Sequence, residues 1–91
     1  MSQVKHAGHR ERLRLRFLQT GAKGFQQHEL LELLLFYALP RINTNNIAHS
    51  LIESFGSLPE VLEADISGLS SVKGINSSSA AFISLFGDLC R

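Results

Sequence analysis

One cysteine, two prolines, no tryptophan and no apolar run longer than Leu33 to Leu39 mark what this 91-residue chain lacks. A single Cys90 excludes an intrachain disulfide and a thiolate zinc cluster within one chain, and fits a reducing compartment. The longest apolar run falls far short of the ~20 residues that cross a bilayer. Near the start, Lys5 is followed by His6-Ala7-Gly8-His9 where a signal sequence would place an apolar core. A soluble, cytoplasmic protein with no membrane partner is expected. No alternating strand pattern and no Asn-Gly hairpin signal is present either, so the reading is all-α. What is there is ordinary globular material: hydrophobic residues make up 44% and charged residues 19%, which excludes a disordered tail. The length suits one domain, burying somewhat over ~60% of the surface of the extended chain.

The net charge of +1 conceals a polarity. Residues 1–25 carry Lys5, Arg10, Arg12, Arg14, Arg16 and Lys23 against Glu11, a net +5, and the remainder carries Arg41, Lys73 and Arg91 against seven acids, a net −4. A basic start of this kind either attaches to nucleic acid or solvates a helix face. Residues 1–7 read as a flexible start and 8–91 as a single helical domain. Gly8 to Thr20 alternates basic and apolar residues, yet its Arg, Leu, Glu and Gln favour a helix ending at Gly21. Leu13 and Phe17, four apart, are expected to face inward.

Further helices are expected over about 28–39, apolar around most of its circumference with Glu29 and Glu32 on a narrow polar side, and over 44–55, ended by Gly56. Ser57 caps a short helix that carries Pro59 in its first turn and Glu60 at the capping-box position. Asp65 or Ser67 opens another, ending near Val72, and 77–89 forms the last. The fold class is therefore a compact bundle of about six helices. Sliding the chain against itself by 33 residues lays Leu39-Pro40-Arg41-Ile42-Asn43-Thr44 over Val72-Lys73-Gly74-Ile75-Asn76-Ser77, and Ala48 over Ala81. This suggests two helix, hairpin, helix units, with hairpins near 39–45 and 69–81.

The second hairpin carries the chemistry. Leu69, Val72 and Ile75 can lock its two helices together, Gly74 permits a backbone conformation that side chains obstruct, and Ala80 and Ala81 let the helices approach. Amides of Gly74, Asn76 and the first turn, through Ser77 and Ser78, would then point outward at the positive end of a helix dipole, where phosphate oxygen binds. Lys73 adds a point charge. A purely structural turn is the plainer reading of the same residues, and Ser77 to Ser79 also serve as helix caps. Arg41 either contacts a phosphate at the first hairpin or pairs with Glu29, Glu32 or another carboxylate. Arg10, Arg12, Arg14 and Arg16 form either a second basic surface or a solvated face.

The pattern Leu69-x-x-Val72-Lys73-Gly74-Ile75-x-x-x-x-Ala80-Ala81 resembles a helix-hairpin-helix DNA-binding motif, and Phe55-Gly56-Ser57-Leu58 with Val61-Leu62 and Ala64 resembles the connector of tandem units. With Gly8-His9-Arg10-Glu11-Arg12-Leu13, His28 to Ala38, Pro40-Arg41 and Thr44-Asn45, the chain resembles over residues 8–90 the amino-terminal domain of RadC-like proteins. The resemblance implies tandem helix-hairpin-helix units, DNA backbone phosphates as partner, and association with DNA repair. It also implies that a JAB/MPN-type metalloprotease-like domain normally follows, so that the chain is a domain fragment or truncated form and brings no active site with it. Two positions depart from the pattern: Asn76 stands where a second glycine is usual, and the first hairpin has Arg41 where the second has Gly74.

No nucleophile and base pairing is legible, and no catalytic residue, metal or cofactor is expected in this chain. His28-Glu29-Leu30-Leu31-Glu32 comes within one residue of the zincin pattern, but Glu32 replaces the second histidine. His6 and His9 could clip a metal only with outside ligands and otherwise read as an incidental pair, His49 is expected at the surface or core rim, and Cys90 lacks an activating neighbour. The leading expectation is a non-enzymatic, sequence-independent DNA-binding module. The alternative is a protein-interaction or regulatory domain that positions the metalloprotease-like domain.

Overall fold

The Leu-rich segment Gln27–Ala38 buries Leu31, Glu32, Leu33, Leu35 and Phe36, over more than half of its circumference, and most of the other elements are arranged against it. The computed structural model describes residues 2–39 and 44–91, with side chains from Gly8 onward. Within them run six helices: α1 (Ser2–Thr20), α2 (Gln27–Ala38), α3 (Thr44–Phe55), α4 (Leu58–Glu63), α5 (Ile66–Ser70) and α6 (Ser77–Cys90). The all-α reading holds, with no strand among the described residues. The radius of gyration is 12.8 Å, close to the ~12 Å of a compact chain this long. No described helix is long and apolar enough to cross a membrane. Hairpin 1, with Pro40, Arg41, Ile42 and Asn43, lies outside the described residues.

Local chemistry sets the boundaries. Ser57 Oγ accepts the Glu60 amide at 3.4 Å and Asp65 Oδ1 accepts the Gly68 amide at 2.7 Å, which starts α4 and α5. Gly56, at φ +106°, ends α3 where a side chain would be strained. The helix α1 is longer than the sequence reading: its backbone is helical from Ser2, because nothing before Gly8 breaks a helix and one interior glycine costs only about 1 kcal/mol.

Two cores result. The larger joins α2 to α6 through Leu31, Leu35, Ile47, Leu51, Val61, Leu69, Ala80 and Ile83, among others. The smaller consists of Leu13, Leu33 and Phe36 with Phe25 against them, and it fastens α1 to α2. Phe17 is not inward as expected: it is 41% exposed and meets Phe25 edge-on at 6.0 Å. Glu32 is likewise not on a polar side. It is buried, accepting from His9 Nε2 at 2.8 Å and Asn45 Nδ2 at 3.4 Å.

The tightest surroundings of any described glycine fall at Gly87, which the sequence reading passed over. A Cβ there would stand 2.0 Å from the carbonyl oxygen of Leu62, so α6 lies directly on the α4 backbone. Ala80 is fully buried as expected, whereas Ala81 is exposed. That difference bears on the internal repeat. The slide of 33 residues does superpose the first residues of α3 and α6, Thr44 and Ser77. The buried stripes do not follow: α3 buries Thr44, Ile47, Ala48 and Leu51, and α6 buries Ser79, Ala80, Ile83 and Gly87. In that register the second helix of each pair is rolled differently against the core.

Candidate nucleic-acid interface

Three amide-to-carbonyl bonds wind the chain between α5 and α6: Ser71 to Gly68 at 3.3 Å, Val72 to Leu69 at 3.1 Å and Ile75 to Val72 at 3.0 Å. Leu69, Val72 and Ile75 point into the core and lock the hairpin to it, so Ile75 is an anchor and not a contact group. Gly74 takes φ +96°, and a Cβ on it would lie 2.8 Å from Ile47 Cδ1. A side chain is therefore strained there by the backbone, and it would also have to push aside the end of the Ile47 side chain on α3. Lys73, Gly74, Asn76, Ser77 and Ser78 are all exposed.

The amides are divided. Asn76 is the N-cap of α6: its Oδ1 accepts the Ser79 amide at 2.8 Å, and its own amide donates to Ser79 Oγ at 3.0 Å. This reciprocal box closes the Asn76 nitrogen, which the sequence reading had turned outward; Asn76 and Ser79 meet each other's needs before any ligand arrives. The Ile75 amide is also engaged. The amides of Gly74, Ser77 and Ser78 donate to no group among the described residues. Of the three serines only Ser79 has a capping role, and it sits at the third helical position with its side chain buried.

The arginines of α1 turn mostly to structural use. Arg10 donates to the Leu39 carbonyl at 2.8 Å and the Phe36 carbonyl at 3.5 Å while its guanidinium lies 4.6 Å from the Phe36 ring centre, so it closes the carboxyl end of α2. Burial first, and the nearby Arg14 second, pull its pKa below the ordinary arginine value. Arg16 donates to both oxygens of Glu29 at 3.1 and 3.2 Å and lies over Phe25 at 4.2 Å. That pairing raises the Arg16 pKa and, with the Gln26 amide as the next cause, pushes the Glu29 carboxyl down to about 2. Arg14 donates to Glu11 at 3.4 Å. Arg12 is exposed and makes no such contact among the described residues. The proposed basic stripe thus presents less free charge than its sequence suggests. Glu29 and Glu32, the carboxylates suggested for Arg41, already hold Arg16 and His9.

Two features escaped sequence reasoning. His9, read as half of an incidental pair, holds the buried Glu32; a lone acid inside a leucine run was the available signal, since buried carboxylates need partners. His49 stacks on His28, ring centres 4.2 Å apart. Among the described residues no three His, Cys, Asp or Glu side chains gather as a metal would need. Cys90 is exposed near the end of α6.

Residues 4–81 match the family model described as UPF0758 N-terminal. A UPF0758 protein of Fusobacterium nucleatum subsp. nucleatum is 43% identical over 98% of this chain and 38% of its own length. A UPF0758 protein of Ruegeria pomeroyi is 43% identical over 74% of this chain and 30% of its own. The chain spans well under half the length of these relatives, and no solved structure matches it. With 78 consecutive residues under the family model and close relatives bearing the family's name, the chain belongs to the UPF0758 N-terminal family.

Proposed function

We propose that this chain is a non-enzymatic domain that grips DNA backbone phosphates, without reading bases, through the α5–α6 hairpin. The observation that carries the reading is the outward set of groups at Lys73, Gly74, Ser77 and Ser78: an exposed ammonium beside three amides with no acceptor among the described residues, at the start of the 14-residue helix α6. Helix N-termini of this kind favour anions through free N–H groups and the helix dipole. The resemblance to helix-hairpin-helix motifs and to RadC-like proteins supports the same reading. The closed Asn76 amide narrows it to a smaller site, and Arg41 would add to it from the first hairpin.

The test is fluorescence anisotropy with single-stranded, duplex and branched DNA over a range of salt. Two phosphates held by one hairpin give a log-log salt slope near ~−1.8 on duplex DNA, and four, with the first hairpin engaged, near ~−3.6. Lys73→Glu is expected to weaken binding roughly tenfold at low salt and to flatten the slope by about 0.9. Salt-independent binding, or an unaffected Lys73→Glu variant, would refute the proposal.

The second reading is a protein-interaction or regulatory domain that positions a JAB/MPN-like domain in the longer protein. It is favoured by a different observation, the exposed apolar residues of α6: Leu85, Phe86 and Leu89.

A further inference from the structure

A cleft of about 350 Å³ opens among α1, α2, α4 and α6, walled by Phe17, Leu30, Leu34, Tyr37, Leu62 and Phe86 with three further leucines. The Tyr37 hydroxyl is the one polar side-chain group among these lining residues. A small metabolite needs several convergent polar groups to orient it, and the cleft supplies too few. Apolar side chains of a polypeptide suit it better. On the same helix as Phe86, which is partly exposed and forms part of the cleft wall, Leu85 and Leu89 are 59% and 76% exposed and lie four residues apart on one face.

Position selects the occupant. Phe86 precedes Arg91 by five residues, roughly 7.5 Å of helix, so a chain continuing past Arg91 emerges next to the cleft. The Fusobacterium relative is covered over only 38% of its length, by a region whose family is named for the amino terminus. Most of that polypeptide therefore follows. A tethered segment meets the cleft at an effective concentration in the millimolar range, whereas a second copy must first lose its translational and rotational freedom.

We propose that the segment following this region in its longer relatives folds back as an apolar-faced stretch and seats in the cleft, with Leu85, Phe86 and Leu89 as its contacts. The proposal rests on the second reading above and is independent of the hairpin.

The experiment uses the complete Fusobacterium protein, with a benzophenone amino acid placed at the position aligned with Leu85 and the photoproducts mapped by mass spectrometry. The expected product is an intramolecular crosslink to residues beyond the aligned region. Products confined to the aligned region, or joining two copies, would overturn it. A crosslink in whole cells that forms only with another protein would overturn the folded-back segment while sustaining the protein-interaction reading. In the same protein, Glu at the positions aligned with Leu85 and Leu89 is expected to speed protease cleavage after the domain at least tenfold, with the circular dichroism unchanged because both sites are already exposed here. An unchanged cleavage rate would also overturn the proposal.

Discussion

The helix α1 and the α5–α6 hairpin are the two candidate phosphate-contacting surfaces, and they are held in opposite ways. The arginines of α1 are its fasteners: Arg10 closes the end of α2, Arg16 clasps Glu29, and only the small Leu13, Leu33 and Phe36 core lies between. The hairpin is fastened by steric fit, with Leu69, Val72 and Ile75 in the main core and Ile47 packed where Gly74 has no side chain. Its Lys73 is left exposed. The lesson is that a count of charges overstates what a surface can offer a ligand, because charges that hold the fold together are already spoken for.

This contrast can be broken or sharpened by substitution. The largest effect is expected at the interlock of α4 and α6. Gly87→Ala would put a methyl 2.0 Å from the Leu62 carbonyl oxygen, and backbone has little room to yield. A loss of about 3 kcal/mol is expected, read as a fall in melting temperature of roughly 12 °C or more; a near-neutral result would mean that the helices are not in that contact. Next comes Gly74→Ala, which meets both the +96° backbone and Ile47. It should cost about 2 kcal/mol in denaturant titrations and weaken the proposed DNA binding by displacing the hairpin amides.

Smaller effects are expected on the α1 side. Arg10→Ala removes the groups that cap the Phe36 and Leu39 carbonyls and cover the Phe36 ring. About 1 kcal/mol should be lost, with faster hydrogen exchange in α1 than in α6. An equal change in both helices would argue that α1 is not separately fastened. The smallest effect concerns acid. The Glu29 carboxyl is held at about 2 against an ordinary 4.5. Its folded value is the lower one, so its stabilising contribution is present above the ordinary value and is lost as pH falls from 4.5 through about 2. Melting curves of Glu29→Gln should therefore fall less steeply across that window than those of the parent chain, while differing little between the two proteins in their own dependence on pH near neutrality.

Much of this could be read along the chain. Gly21, Gly56, Ser57 and Asp65 mark helix ends because capping and positive φ are local matters, decided within three or four residues. Leu69, Val72, Ile75 and Gly74 were legible for the same reason: a tight hairpin needs them at that spacing. The condition of the Asn76 amide was not. Asn76 stands where a second glycine is usual, and only the geometry of α6 reveals that Ser79 reaches back to it.

By itself, then, the order of residues determined an all-α chain, most of its helix boundaries and a glycine-dependent hairpin, since propensity, capping and turn geometry act between neighbours. The tertiary structure alone decided that Glu32 lies inside against His9, that α1 spends its arginines on α2, that Gly87 touches Leu62, and that an apolar cleft stays open beside α6. Each of these joins residues at least 13 positions apart, or depends on how far one helix is rolled against another. A slight change of roll moves a side chain from water to core, and nothing within a single helix sets that angle.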